Sequence, residues 1–285
     1  MTADATLVEH YASGDLRARI ETALATIDGP ITRRTLGPLD QFHIGGAPAT
    51  EWLIEQIDLA SGARVIDLGS GLGGPARHIA GAADAHVTGI DLTDEYVAVA
   101  TWLSELVGLG DTVTFRTGSV LELERLLVDQ DPFDAATMLH VGMNIADKAE
   151  LCRQVAATLQ PGAIFGVYDV MSGPNFAAEE PVTFPVPWAS VPDHSFVASA
   201  AAYTDALVAA GFVIEAVHDR TSAALAARGS QAAAAQSTAP PSKAAPSPLG
   251  LHLVMGTETK TKVANMVANV RSGRIAPTVI VARRV

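Results

Sequence analysis

The sequence has little of what several classes of protein require. It contains a single cysteine, Cys152, and therefore holds neither a disulfide framework nor a cysteine-based metal site. Basic residues are few: 19 Lys and Arg stand against 31 Asp and Glu, a formal net charge of -12 at pH 7. Because a nucleic-acid partner needs a basic groove, this balance argues against one. No apolar run approaches the roughly 20 residues that span a bilayer, so we expect a cytoplasmic protein without a membrane partner.

What the sequence does contain is a regular alternation of strand and helix patterns. Five β-branched runs with helical segments between them are predicted as strands: Arg64–Leu68, His86–Asp91, Thr112–Arg116, Phe133–Leu139 and Ile164–Val170. Two more strands are predicted later, at Phe212–His218 and Thr278–Arg283. Strands that alternate with helices indicate an α/β fold with a doubly wound, parallel sheet.

The pattern divides the chain into three parts. Residues 1–47 are predicted as an N-terminal helical arm, with an amphipathic helix over the first 30 residues. Residues 48–221 and 276–285 are predicted as the core, which includes a lid at 171–200. Residues 222–275 are predicted as an insertion with a mobile Ala- and Pro-rich linker.

A glycine-rich segment, Asp67-Leu-Gly69-Ser-Gly71-Leu-Gly73-Gly74, follows the first strand. Glycines let the backbone approach a ligand closely, and this spacing fits both NAD(P) and S-adenosylmethionine (SAM). Asp67 favours SAM, because a carboxylate suits a cationic ligand and would crowd a pyrophosphate. Asp91 ends the second strand, where an acidic side chain can accept hydrogen bonds from a ribose diol. The alternative is that both aspartates only cap the turns that follow them.

Three segments resemble the class I SAM-dependent methyltransferases: residues 65–74 (VIDLGSGLGG), 89–92 (GIDL) and 159–162 (LQPG). Residues 68–77 are similar to the bacterial small-molecule enzymes of the sarcosine/dimethylglycine and tocopherol type. The resemblance covers residues 63 to about 217 and returns in the final strand. It implies a Rossmann-like sheet of seven strands with the last strand antiparallel.

The resemblance also implies a cofactor site for SAM. Its residues are Asp67, Gly69, Ser70, Gly71, Gly73, Asp91, Leu92, Ser119, Val120 and His140. Family members commonly carry an acidic residue after the third strand, which binds the adenine amino group. Ser119 and Val120 stand there in this sequence, so we expect the Ser119 hydroxyl or the Val120 backbone to accept that hydrogen bond.

The acceptor of the methyl group is expected beside the ends of the fourth and fifth strands, where ligands bind in open α/β sheets. The residues predicted to line its site are His43, Met143, Asn144, Trp188 and His194. His140 is the candidate general base, because an imidazole titrates near neutral pH; otherwise it only contacts the cofactor or the backbone. No metal is expected, because no histidine and carboxylate cluster has ligand spacing.

The sequence therefore predicts a SAM-dependent methyltransferase that modifies a nitrogen or oxygen of a small-molecule acceptor. Three alternatives stay open at this point. The chain could methylate carbon in a small metabolite, could bind SAM without catalysis, or could be an NAD(P)-dependent oxidoreductase.

Overall fold

The computed structural model describes residues 14–177, 182–227 and 247–285. The start of the predicted arm (1–13), four residues of the predicted lid (178–181) and residues 228–246, which include much of the predicted linker, lie outside the described residues. The strands are β1 (Arg64–Leu68), β2 (His86–Asp91), β3 (Val113–Thr117), β4 (Phe133–Leu139), β5 (Leu159–Ser172), β6 (Phe212–Asp219) and β7 (Ile275–Arg284).

Helices lie before, between and after these strands. In the described ranges they are α1 (Leu16–Leu24), α2 (Arg33–Asp40), α3 (Ala47–Ile57), α4 (Gly74–Ala83), α5 (Asp94–Leu106), α6 (Leu123–Leu126), α7 (Lys148–Thr158), α8 (Ala200–Ala209), α9 (221–227), α10 (His252–Met255) and α11 (Thr259–Arg271). Short 3-10 turns occur at Gly142–Asn144, Pro192–His194 and Gly256–Glu258. None of the helices described is both long and apolar enough to cross a membrane.

All seven strands form one sheet in the order β3-β2-β1-β4-β5-β7-β6. The pairs from β3 through β5 are parallel, and β7 runs antiparallel to both of its neighbours. This is the predicted topology. The strand order reverses between β1 and β4, and a ligand crevice forms at such a switch point, beyond the carboxyl ends of the strands.

Side chains of successive strand residues point to opposite faces of the sheet, and each face is covered by helices. Val65 of β1 packs in a cluster with Ile79 of α4. Its neighbour Ile66 packs in a cluster with Val155 of α7 on the other face. The central strand is therefore apolar on both sides, as a buried parallel strand requires.

Local signals in the sequence fix where several helices begin. Pro75 lies in the first turn of α4, where its fixed φ angle favours the helix and its missing N–H has no cost. The Asp147 side chain accepts a hydrogen bond of 2.9 Å from Glu150 N at the start of α7. The Ser199 hydroxyl accepts one of 3.1 Å from Ala202 N at the start of α8. Both are N-caps of the ordinary kind.

Three predicted strands, Arg64–Leu68, His86–Asp91 and Phe133–Leu139, have the observed bounds. Two details of the prediction are wrong. The amphipathic helix predicted to residue 30 ends at Leu24, ahead of the Gly29-Pro30 break. The fifth strand, predicted at Ile164–Val170, is longer and covers Leu159–Ser172, and Gly162 within it has a φ of 85°.

Candidate active site

A cavity of about 240 Å³ opens at the switch point, beyond the ends of β1, β2 and β4. Gly71, with a φ of 53°, lines it, and a Cβ atom built on Gly71 meets nothing within 4 Å. A Cβ on Gly69 would instead lie 2.4 Å from a methyl carbon of Val141. Gly69 is therefore needed for packing, whereas the absence of a side chain at Gly71 leaves space for a ligand.

Asp91 holds the glycine loop against the end of β2. Its Oδ2 accepts a hydrogen bond of 2.8 Å from Gly71 N, and its Oδ1 accepts one of 2.9 Å from Thr93 N. Burial raises the pKa of Asp91, and these backbone hydrogen bonds act in the opposite direction. A carboxylate oxygen has more than one lone pair, so both oxygens can accept a further hydrogen bond from a ligand in the cavity.

Most of the predicted cofactor residues line this cavity. They are Gly69, Ser70, Gly71, Asp91, Leu92, Ser119, Val120 and His140. Asp67 and Gly73 do not. Asp67 is 1% exposed and accepts a hydrogen bond of 2.7 Å from the Thr137 hydroxyl, and burial raises its pKa to about 7. A Cβ on Gly73 would lie 2.5 Å from the Phe115 ring, so this glycine serves packing behind the loop.

A second cavity, of about 280 Å³, adjoins the first. The predicted acceptor residues His43, Met143 and Trp188 line it. The rest of its wall is mostly apolar and comes from the segment between α2 and α3, from α9, from the start of α10 and from α11, including Ile44, Leu225, Leu251, Val263, Met266 and Val267. Among the described residues that line it, none carries a charged side chain.

Two predicted acceptor residues lie elsewhere. His194 is exposed in the 3-10 turn at Pro192–His194 and lines neither cavity. The sequence could not indicate this placement, because an irregular segment has no periodicity from which the direction of a side chain can be read. Asn144 lines the first cavity rather than the second.

The two cavities meet at a set of aromatic rings. Phe42, His43 and His140 line both of them. The ring centroids of His43 and His140 are 6.0 Å apart, and those of His140 and Tyr168 are 5.0 Å apart. Any group passed from one cavity to the other would have to pass these side chains.

Both histidines at this junction are neutral at pH 7. Burial lowers the pKa of His43 to about 4. Burial also lowers the pKa of His140 well below its usual range, and the nearby His43 acts in the same direction. His140 Nε2 is enclosed and has no hydrogen-bond partner among the described residues. A ring with so low a proton affinity takes a proton only from a strongly acidic group, and the catalytic role of His140 stays a prediction.

A buried ion pair fixes the segment that carries Phe42 and His43. The Arg77 guanidinium donates a hydrogen bond of 2.7 Å to Asp40 Oδ2, and the two side chains are 1% and 3% exposed. Arg77 also donates to the carbonyls of Leu72 and Ala100. The pair joins the end of α2 to the helix that follows the glycine loop. Sequence reasoning missed it, because 37 residues separate its members.

The comparisons with known proteins agree with this geometry. A protein-family model described as a methyltransferase domain matches residues 59–199. These residues belong to the methyltransferase domain family. With the antiparallel seventh strand and the cavity beside the glycine loop, the domain is of the class I, SAM-dependent kind.

Among curated proteins, a sterol 24-C-methyltransferase of Aspergillus fumigatus is 29% identical over 130 residues, which are 46% of this chain and 34% of that protein. The chain thus spans about a third of the length of that relative.

Solved structures of similar fold cover nearly the whole chain. A geranyl diphosphate C-methyltransferase from Streptomyces coelicolor A3(2) has a TM-score of 0.66 at 15% identity, over 100% of this chain and 98% of that one. The 4+2 cyclase SpnF has a TM-score of 0.62 at 22% identity, over 100% of this chain and 97% of that one. At these identities the likenesses show the fold alone.

A buried lysine joins the segment predicted as a lid (171–200) to the first cavity, which we call the cofactor cavity. Lys148, at the start of α7, donates a hydrogen bond of 2.9 Å to the Phe196 carbonyl and another to the Ile145 carbonyl. Phe196 and Ile145 both line the cofactor cavity. Tyr203 donates a hydrogen bond to the buried Asp169, whose negative charge acts on Lys148. Lys148 therefore ties the segment that contains Phe196 to the cavity wall.

Replacing Lys148 with methionine is expected to lower the free energy of unfolding by about 2–4 kcal/mol, because two carbonyls and a buried carboxyl lose their cation. Urea unfolding measures this loss. The matched control is Lys260→Met at an exposed position of α11, for which a change within about 0.5 kcal/mol is expected. Equal stabilities for the two variants would show that Lys148 does not hold the segment that contains Phe196.

Proposed function

We propose that the chain transfers a methyl group from SAM to a nitrogen or oxygen of a neutral, largely apolar small molecule. The observation that carries this proposal is the pair of adjoining cavities, one beside the glycine loop and one without a charged side chain among its described residues. An acceptor with a phosphate, carboxylate or quaternary ammonium group would find no partner of opposite charge there.

The residues present suit the cofactor. Gly71 leaves space beside the loop, and the carboxylate of Asp91 faces the cavity with lone pairs for the ribose hydroxyls. The Ser119 hydroxyl and the Val120 backbone are available to the adenine ring. When bound, SAM supplies a methyl group on a cationic sulfonium. The work of the protein is then to align the acceptor and exclude water, which the rings at the junction and the lid do.

Carbon methylation is the second candidate. The similar sterol enzyme and the geranyl diphosphate enzyme of like fold are named as C-methyltransferases, and the apolar second cavity, which we call the acceptor cavity, would suit an alkene. We do not propose a diphosphate acceptor for this chain, because no Lys or Arg is among the described residues of the acceptor cavity.

The third candidate is that the chain binds SAM without transferring its methyl group to an acceptor. SpnF, which shares the fold and is named a cyclase, is the precedent for a different reaction.

The net charge of -12 and the single cysteine support a cytoplasmic protein that acts on free small molecules rather than nucleic acid. The three-part division at residues 47, 221 and 275 is likewise our proposal.

The test uses SAM with an isotopically labelled methyl group and a panel of neutral and charged metabolites, with labelled products found by mass spectrometry. We expect labelled products from neutral, apolar acceptors only. Preferential labelling of phosphorylated or quaternary acceptors would contradict the proposal. Tight SAM binding with no product from any acceptor would favour the binding-only alternative.

A cavity-filling variant separates the two sites. Val267 lines the acceptor cavity and not the cofactor cavity, so Val267→Phe is expected to cut turnover of an identified acceptor at least about tenfold. The affinity for S-adenosylhomocysteine, measured by calorimetry, should stay within about twofold, because the cofactor cavity is untouched. Unchanged turnover would place the acceptor elsewhere.

A further inference from the structure

The hydrogen bonds around His43 determine which of its ring nitrogens carries the proton. Nε2 lies 3.0 Å from the Gly46 carbonyl oxygen and 3.0 Å from the Thr50 hydroxyl. A carbonyl oxygen can only accept, so Nε2 must donate. The Thr50 hydroxyl donates its own proton to Gln41 Oε1 at 2.9 Å and presents a lone pair to His43. The ring is thus held as the Nε2–H tautomer.

The other nitrogen, Nδ1, keeps its lone pair. Burial keeps the ring neutral at pH 7, so only one ring proton is present and Nε2 holds it. Nδ1 has no hydrogen-bond partner within the described ranges, and it is not one of the enclosed, unpartnered polar atoms there. Since His43 lines both cavities, this lone pair is available where cofactor and acceptor meet.

His140 differs from His43 in this respect. The side chain of His140 makes no hydrogen bond within the described ranges, and its Nε2 is enclosed. No hydrogen bond within the described ranges fixes the tautomer of His140. Of the two histidines at the junction, His43 is therefore the one oriented for a defined role.

We propose that His43 Nδ1 accepts a hydrogen bond from a hydroxyl group of the acceptor, and that this hydroxyl oxygen is the atom methylated. This inference rests on the proposed function and specifies its acceptor. An electron pair of the hydroxyl oxygen forms the bond to the methyl carbon, and the pair of the broken sulfur–carbon bond remains on sulfur. The hydroxyl proton passes to Nδ1 and leaves to solvent afterwards.

The proton balance favours a hydroxyl over an aliphatic amine. Methylation of an alcohol oxygen gives a protonated ether, which is a strong acid. Even a ring of low proton affinity can therefore take the proton from this oxygen. A methylated aliphatic amine holds its proton far more firmly, and a ring like that of His43 would not remove it. The apolar wall of the acceptor cavity suits the carbon skeleton of such an alcohol or phenol.

The first test is a ¹⁵N NMR measurement on the intact chain labelled in histidine, in complex with S-adenosylhomocysteine and assigned with His43→Phe. We expect Nε2 to carry the proton at pH 7 and Nδ1 to lack it. Addition of 2-naphthol should shift the Nδ1 resonance upfield, and addition of naphthalene should not. A proton on Nδ1, or an Nδ1 resonance unmoved by saturating 2-naphthol, would overturn the proposal.

The second test compares affinities for the same two probes. In the unaltered protein 2-naphthol should bind about fivefold to tenfold more tightly than naphthalene, the effect of one hydrogen bond to a neutral acceptor. His43→Phe should abolish this preference. His86→Phe, at an exposed position outside both cavities, is the matched control and should keep it.

A preference lost in His140→Phe but kept in His43→Phe would assign the role to His140 and overturn the inference. Failure of S-adenosylhomocysteine to bind the unaltered protein would contradict the proposed function itself, which is a separate result.

Discussion

Replacing Arg77 with methionine is expected to lower the free energy of unfolding by about 3–5 kcal/mol. The substitution leaves the Asp40 carboxylate, which is only 3% exposed, without its cation. The carbonyls of Leu72 and Ala100 lose a donor as well. Urea unfolding with an unchanged denaturant slope would measure the loss.

Two controls make this result specific. The double variant Arg77→Met with Asp40→Leu should recover much of the loss, because it removes the buried charge together with its partner. Arg153→Met breaks a pair with Glu150 whose side chains are 51% and 34% exposed, and should cost less than about 1 kcal/mol. If Arg77→Met cost no more than Arg153→Met, the buried pair would not be what secures the segment over the cofactor cavity.

The second large effect is expected at Asp91. Asp91→Ala should weaken binding of S-adenosylhomocysteine by about 1.5–3 kcal/mol, or about tenfold to 100-fold, through loss of charge-assisted hydrogen bonds to the ribose. The N–H groups of Gly71 and Thr93 also lose their acceptor, so we expect a loss of affinity toward the upper end of this range. Calorimetry measures the affinity, and circular dichroism checks that the variant is folded.

Asp94→Ala is the matched control, because Asp94 is an exposed carboxylate only three residues further on, in the first turn of α5. Its affinity should equal that of the unaltered protein. A folded Asp91→Ala protein with full affinity would mean that Asp91 only holds the loop, which is the capping alternative that the sequence left open.

The cofactor half of the site could be predicted because its determinants are local. Gly71 and Asp91 lie at the ends of neighbouring strands, and strand periodicity with a glycine turn is visible over ten residues. Ser119 and Val120 were predicted in the same way, because they follow the end of β3, and they line the cavity. Asp67 shows the limit of this reasoning: it was predicted as a cofactor residue, yet its side chain faces Thr137 rather than the cavity.

The acceptor half could not be predicted to the same extent, because tertiary packing brings its walls together from distant segments. Met266 and Leu251 come from beyond residue 246, and Ile44 comes from before the first strand. Trp188 was predicted from its aromatic character and does line the cavity, but it is also a core residue, 2% exposed, whose Nε1 donates to Ser195 at 2.9 Å. No spacing in the sequence indicates these contacts.

The central claim is that the cavity beside the glycine loop binds SAM, and calorimetry of the intact chain with S-adenosylhomocysteine and, separately, NADP tests it most directly. We predict saturable binding of S-adenosylhomocysteine, with about 2.7 kcal/mol of added stability at 100 times its dissociation constant, and no binding of NADP. Tighter binding of NADP than of S-adenosylhomocysteine would contradict it and would favour an oxidoreductase.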